Sequence, residues 1–588
     1  MNEQRLDAVI KKALETQLPE VETLLNEANE IAKGITIGRT AFFDYWDVSS
    51  EAEFKIRSIK EGRIMYHAHI GMGNWQLTEE ALAFVHQEAT NNGITVDRAG
   101  LCLDRRMGLP QNIRANIPAE TGPLLETFND WNRIGKRTPI QPHMGDFMIG
   151  FPASTTNTIN ALKAGVTTIG NLSQFFAHEA PGWHDQVTTA IETTKSIAIL
   201  GALKNKGVMF HSYLEDGYGA LFFDCTTVAG WAYLEKYIVE DLLNAKLSHC
   251  IGGLTSDPIK RSGWVFALDE IHEQECIGSM FYGDTISYTR NFDVNRGLVS
   301  EYLLWDIMTQ LKCPTGHAVL PLPVTEAVRA PSKEEIVEAQ ILGHRIEETA
   351  RRLVDHVDFS SSHIFARKMV KHGKQVFKNA LHGLKEAGVD IKNPLQLLYV
   401  LKQMGPAVFE EMFGAGALDK TEVRNREILI PTDIFEQSKA CYKDNLPMFS
   451  TKEIKNSVKD KCFLIASTDV HEHAVMVLKW LLSNTGAEII YMGAECNPEE
   501  IVEQVKKKKI DAILISTHNG MALDYANMLK EKMAAQNLDT PVLFGGVLNQ
   551  KIPNKEIPVD VTKELIKIGF YPSNRLGHQV QNLMKIKL

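Results

Sequence analysis

The sequence predicts an α/β protein: an N-terminal (β/α)8 TIM barrel followed by a C-terminal flavodoxin-like (Rossmann-like) domain. Three observations lead there. From about residue 62, a short apolar strand, a polar stretch and a longer helical pattern recur roughly eight times over about 300 residues. Between 330 and 460 the strands stop and long amphipathic helical patterns replace them. From about 458 the alternation returns, giving strand–helix–strand–helix over about 130 residues.

The elements follow in order. Residues 1–60 read as an N-terminal helical segment, its opening MNEQRLDAVIKKALETQLPEVETLL placing charges and apolar residues at helical spacing, unlike a signal peptide. The barrel spans 61–355. Its candidate strands are RIMYHAHIGM, GITVDRAG, TPIQPHMGD, GVTTIGNL, GVMFHSYL, LSHCIGGL, CIGSMFYG and HAVLPLP. Several end in polar residues, among them His69, Arg98, His143, Asn171, Glu215 and Asp284, and the carboxyl ends of barrel strands carry the chemistry. Residues 356–457 read as a helical connector and 458–588 as the second domain, with strands KCFLIAST, AEIIYMGA, IDAILIST and TPVLFGGV.

Composition narrows the class. Of 588 residues, 73 are acidic against 63 Lys and Arg, a net charge of −10 that argues against a nucleic-acid footprint. No apolar run approaches the ~20 residues of a membrane span. The eight cysteines are scattered without a CxxC, as expected of reduced thiols in a cytoplasmic protein.

The second domain carries the most informative motif. Asp469-Val470-His471-Glu472-His473-Ala474 follows its first strand; Ser516 comes after 41 intervening residues, and Gly545-Gly546 follows His518 after another 26. Each element sits just past a strand, so all three converge on one rim of a parallel sheet. A loop histidine suits an axial metal ligand, and a carboxylate two residues earlier suits the other imidazole N–H. A small serine and two glycines leave a path lined by backbone. The pattern resembles the B12-binding signature DxHxxG…SxL…GG of adenosylcobalamin mutases and cobalamin methyltransferases. The resemblance implies cobalamin bound by Asp469, His471, Ala474, Ser516, Gly545 and Gly546, with His471 the lower ligand of cobalt. Ala474 replaces a glycine of the pattern and His518 a leucine. His473 is the rival ligand, but the residue two before it is His471, not a carboxylate.

Residues 60–350 loosely resemble the large subunit of glutamate mutase, through LPLPVTEAVRAPSKEE (320–335), GVMFHSYLEDGYGALFFDCTT (207–227) and GVTTIGNLS (165–173). What this implies is an adenosylcobalamin-dependent carbon-skeleton mutase acting on a small dicarboxylate such as 2-methyleneglutarate or glutamate. The cofactor carries the radical chemistry; the protein positions substrate and excludes water. Glu326 then matches the glutamate touching the adenosyl ribose, while Leu322 replaces a lysine. His67, His69, Arg105 and Arg106 stand near the family's carboxylate-gripping arginines, and His143 near a third. Glu215, His143 and Asn171 are the catalytic candidates, with Glu120 a further carboxylate. Asn171 occupies the strand position of the family's glutamate beside the substrate amine, which points to a substrate without a required ammonium group. Protonated histidines are expected to add donors for its carboxylates. A homo-oligomer and a reactivating chaperone are the expected partners. Two alternatives stand beside this reading: a corrinoid-dependent methyltransferase component, and a metal-dependent hydrolase barrel opening with His67-Ala68-His69 and completed by His143, His211 and Asp284.

Overall fold

The computed structural model describes residues 10–585 except 118–121, 421, 423, 469–472, 494–495, 519, 551 and 553–557. The chain divides into two compact units, Met1–Thr432 and Asp433–Leu588. Among the described residues no helix is long and apolar enough to cross a membrane.

In the first unit the expected strands are present but short: β1 His67–Ile70, β2 Arg98–Leu101, β3 Gln141–His143, β4 Thr168–Gly170, β5 Met209–Tyr213, β6 Leu247–Cys250, β7 Met280–Phe281 and β8 Ala318–Val319. They pair in parallel as β1-β2-β3, β4-β5-β6 and β7-β8. Single parallel bridges, Met144 to Ile169, Ile251 to Phe281 and Tyr66 to Val319, run between these groups. Helices fill the intervals, and local chemistry sets their ends. Asn74 accepts from the Leu77 N–H to start the helix Trp75–Asn91, and Asp257 with Pro258 at the first position starts Pro258–Ile271.

Buried charges tie this unit together. Arg261 and Asp306 are fully buried and paired through two bonds, Nε to Oδ1 at 2.9 Å and Nη2 to Oδ2 at 2.6 Å. The same guanidinium donates to the carbonyls of Gly252 and Tyr282, pinning the segments that follow β6 and β7. Arg98 pairs with Glu51 at 3.1 Å and donates to Ser279, while Lys55 donates to the carbonyls of Gly278, Ser279 and Gly316. The region expected as a connector is divided between the units. Its helix Pro394–Phe413 belongs to the first, where Glu410 accepts from the backbone N–H groups of Phe223 and Asp224.

The second unit opens with the helices Asp433–Phe449 and Lys452–Val458. Its strands are β9 Cys462–Ser467, β10 Glu488–Gly493, β11 Ala512–Thr517, β12 Val542–Gly546, a small antiparallel pair β13 Asn549–Gln550 and β14 Val559–Asp560, and β15 Tyr571–Pro572. The main sheet runs β10-β9-β11-β12-β15, all parallel. The second strand lies outside the first, which is the flavodoxin-like order, with a switch point between β9 and β11. β9 and β11 are buried along their whole lengths, which is why CFLIAS and AILIST read as unbroken apolar runs.

Asp306→Ala should destabilise the first unit by about 3–5 kcal/mol, because it strands the buried Arg261 charge. Denaturant melting of the variant against the parent measures it. An unchanged midpoint would mean that Arg261 finds its counter-charge elsewhere.

Candidate functional site

In the second unit the motif residues meet in register. Ser516 lies opposite Ser467 on β9 and Gly545 on β12, and Thr517 lies opposite Gly546. The Thr468 N–H donates to the Ser516 carbonyl at 2.9 Å and the Val547 N–H to that of Thr517 at 2.7 Å, which closes the shelf at the carboxyl ends. Here the Ser516 Oγ is buried with no hydrogen-bond partner, so it is open to one from a bound group.

The two glycines have different reasons. Gly546 has φ +84°, and a Cβ there would sit 2.3 Å from the Thr517 carbonyl oxygen, so the fold itself demands glycine. A Cβ on Gly545 would make only ordinary contacts, the nearest at 3.5 Å to Gln579 Nε2. Packing therefore leaves room at 545, as a path kept clear for a bound group requires. Gln579, from the helix Leu576–Lys585, donates to the carbonyls of Phe544 and Ser573 and walls this side of β12. Nothing in the sequence pattern singled it out. Ala474 is half-buried in the helix His473–Ser483, and His518 is half-buried just beyond β11. Asp469, His471 and the His473 side chain lie outside the described residues, as does Glu120.

Residues 464–562 match the family model of the B12 binding domain. The C-terminal unit carries a B12-binding domain. The solved structure of a novel cobalamin-binding protein from Desulfitobacterium hafniense DCB-2 is similar at 17% identity, over 26% of this chain and 68% of that one, with a TM-score of 0.19. No curated protein matches the chain. The B12-binding domain, the partnerless Ser516 hydroxyl and the room at Gly545 agree with one another: the residues present fit a cobalamin.

In the first unit the strand interiors bring histidines together. The rings of His67 and His69 lie 5.1 Å apart, those of His67 and His143 5.9 Å, and those of His143 and His211 4.6 Å. Both ring nitrogens of His67 and the Nδ1 atoms of His143 and His211 are buried without partners. Burial, then the Arg98 charge, holds His67, His143 and His211 well below the ordinary histidine range and His69 at about 4. These imidazoles are neutral at pH 7, contrary to the expectation of protonated donors, because no carboxylate stands close enough to offset their desolvation. His211 was foreseen only as a metal ligand. Among the described residues no group of three or more His, Cys, Asp or Glu is placed to hold a metal ion.

The remaining candidates lie at or beyond the strand ends. Asn171 Oδ1 accepts from the Ser173 and Tyr213 N–H groups, at 3.1 and 2.8 Å, and its Nδ2 donates to Asp216 at 2.9 Å, so it is a positioning residue. Glu215 is pushed up to about 8 by burial and Glu326 to about 7 by burial and the Glu335 charge. Arg106 folds back onto Asp104 with two bonds of 2.9 Å, and Arg105 is half-buried in the same turn, Arg105–Gly108. Asp146 and Tyr282, which the sequence reading did not single out, are half-buried beyond β3 and β7.

The glycine pair separates fold from ligand. Gly546→Ala should destabilise the second unit by about 1–3 kcal/mol, read as a lower melting temperature. Gly545→Ala should melt normally yet bind cobalamin about tenfold or more weakly, read by absorbance titration. Normal cobalamin binding by Gly545→Ala would place the ligand elsewhere.

Proposed function

We propose that this protein is an adenosylcobalamin-dependent radical mutase acting on a small carboxylic acid. The carrying observation is the shelf of Ser516, Gly545 and Gly546 inside a matched B12-binding domain whose sequence also carries Asp469-x-His471 after its first strand. Adenosylcobalamin supplies radical chemistry when bound. In this reading His471 would hold the cobalt of the cofactor, and Asp469 would accept its other imidazole N–H and so set its tautomer and basicity. Ser516 offers its free hydroxyl to the cofactor's tail, and Gly545 keeps the path open.

The first unit is the substrate domain in this proposal, and its eight strands close into a (β/α)8 barrel. Supporting that closure are the parallel bridges of Tyr66 to Val319, Met144 to Ile169 and Ile251 to Phe281, which connect the three parallel groups in a cyclic order. Substrate then enters over the carboxyl ends of the strands, where His69, His143 and Glu215 stand. Glu326 lies beyond β8 and is the candidate for the adenosyl ribose. Arg105 and Arg106 are the candidates for a substrate carboxylate, because guanidinium stays charged and binds that group through two bonds; Arg106 would exchange its two bonds to Asp104 for it.

Electron paramagnetic resonance of the cob(II)alamin-loaded, 15N-labelled protein should show axial coupling to a protein nitrogen, and His471→Ala should abolish it. Coupling that survives in the variant would remove His471 from the cobalt and favour His473. Turnover that persists without corrinoid would remove the mutase reading altogether.

A further inference from the structure

The strand-end mouth of the first unit holds carboxyl groups that no cation attends. Tyr282 is its centre. The charges of Glu326, Asp216 and Asp146 all act on the Tyr282 hydroxyl, and its ring packs on His69 at 5.5 Å and on Tyr213 at 5.1 Å. Glu215 lies beside the Tyr213 hydroxyl, both approaching Gly253. Among the described residues no lysine or arginine forms an ion pair with Asp146, Glu215, Asp216 or Glu326. The guanidinium that acts on Glu215, Arg261, is already saturated by Asp306.

Asp216 is built into place. Asn171 donates to its Oδ2, His178 lies 3.7 Å from its Oδ1, and its side chain keeps 25% of its exposure. Elsewhere in the unit buried charges are met by opposite charges or, as with Arg114 and Asp224, by several backbone groups, whereas the Asp216 carboxylate receives one amide N–H and stays open. The floor beside it points the same way. His143 and His211 are 3% and 2% exposed, each with an Nδ1 lacking a partner, and their Nε2 atoms converge on Gly145, next to Asp146. A neutral imidazole offers a lone pair as well as an N–H.

We propose that this mouth receives the ammonium group of an amine-bearing substrate, with Asp216 and Asp146 as its anions and the partnerless imidazoles of His143 and His211 as hydrogen-bond acceptors. It rests on the proposed function only in taking the mouth as the substrate site. An ammonium carries three N–H donors and needs acceptors when desolvated, which this set supplies. The aromatic face of Tyr282 adds a further attraction for a cation. The sequence expectation of a substrate without an ammonium group is thereby revised: Asn171 replaces a carboxylate but holds another, Asp216, in its place.

The pH dependence has a definite sign. Burial and the Asp216 charge raise Asp146 to about 7, opposed by His178, and Glu326 also stands at about 7. These groups are protonated below that pH in the free protein. An ammonium favours their ionised form, so binding releases protons and affinity rises from pH 6 to pH 8. A carboxylate gripped by histidines shows the opposite slope.

Calorimetric titration of the full chain, free of cobalamin, with 5-aminopentanoate and with glutarate tests this. The two share a five-carbon chain and differ in one end group. The amine should bind about tenfold or more tightly, more tightly at pH 8 than at pH 6. Asp216→Asn and Asp146→Asn should each lose that preference while melting normally and keeping their cobalamin spectrum. Tighter binding of glutarate, an affinity that falls with rising pH, or binding of neither acid overturns the proposal. Loss of cobalamin binding with the amine preference intact overturns the cofactor reading alone.

Discussion

Parallel strands leave all their carboxyl ends on one side, and that constraint organises both units. Every loop after a strand emerges at the same edge, so residues far apart in sequence meet there without further design. In the second unit Ser467, Ser516 and Gly545 stand side by side because β9, β11 and β12 are in parallel register. In the first unit the same rule gathers His143, His211 and the residues after β5 and β7.

Satisfaction of buried polar groups then separates scaffold from site. Arg261, Lys55 and Glu410 are buried, and carbonyls, backbone N–H groups or opposite charges meet them. Such groups hold segments together, and removing one partner leaves a desolvated charge. The imidazoles of His67, His143 and His211, the Glu215 carboxyl and the Ser516 hydroxyl are equally enclosed but lack partners. A folded chain tolerates few such atoms, and these five residues lie on or just after the strands that build the two candidate sites.

The absence of nearby counter-charge has a second effect. Removed from water, Asp146 and Glu215 shift upward into the neutral range, while His143 and His211 shift downward. Both drift toward their uncharged forms, as desolvation requires. Asp146 and Glu215 are thus poised to ionise when a cation binds beside them.

The alternation of apolar strands and helical patterns was legible in the sequence, because a strand covered on both faces must be a short apolar run. So was the meeting of Ser516, Gly545 and Gly546 at one sheet edge, since these residues sit at fixed offsets from those strands. Gln579 was not legible, because it reaches Gly545 from a helix over 30 residues away. Nor was Asp216, which gains meaning only through the Asn171 amide donated from a different strand end. The protonation states of His67 and His143 also lay beyond the sequence. Periodicity and local spacing determine which elements form, but the charge on a side chain depends on burial and on neighbours that only the tertiary structure brings within reach.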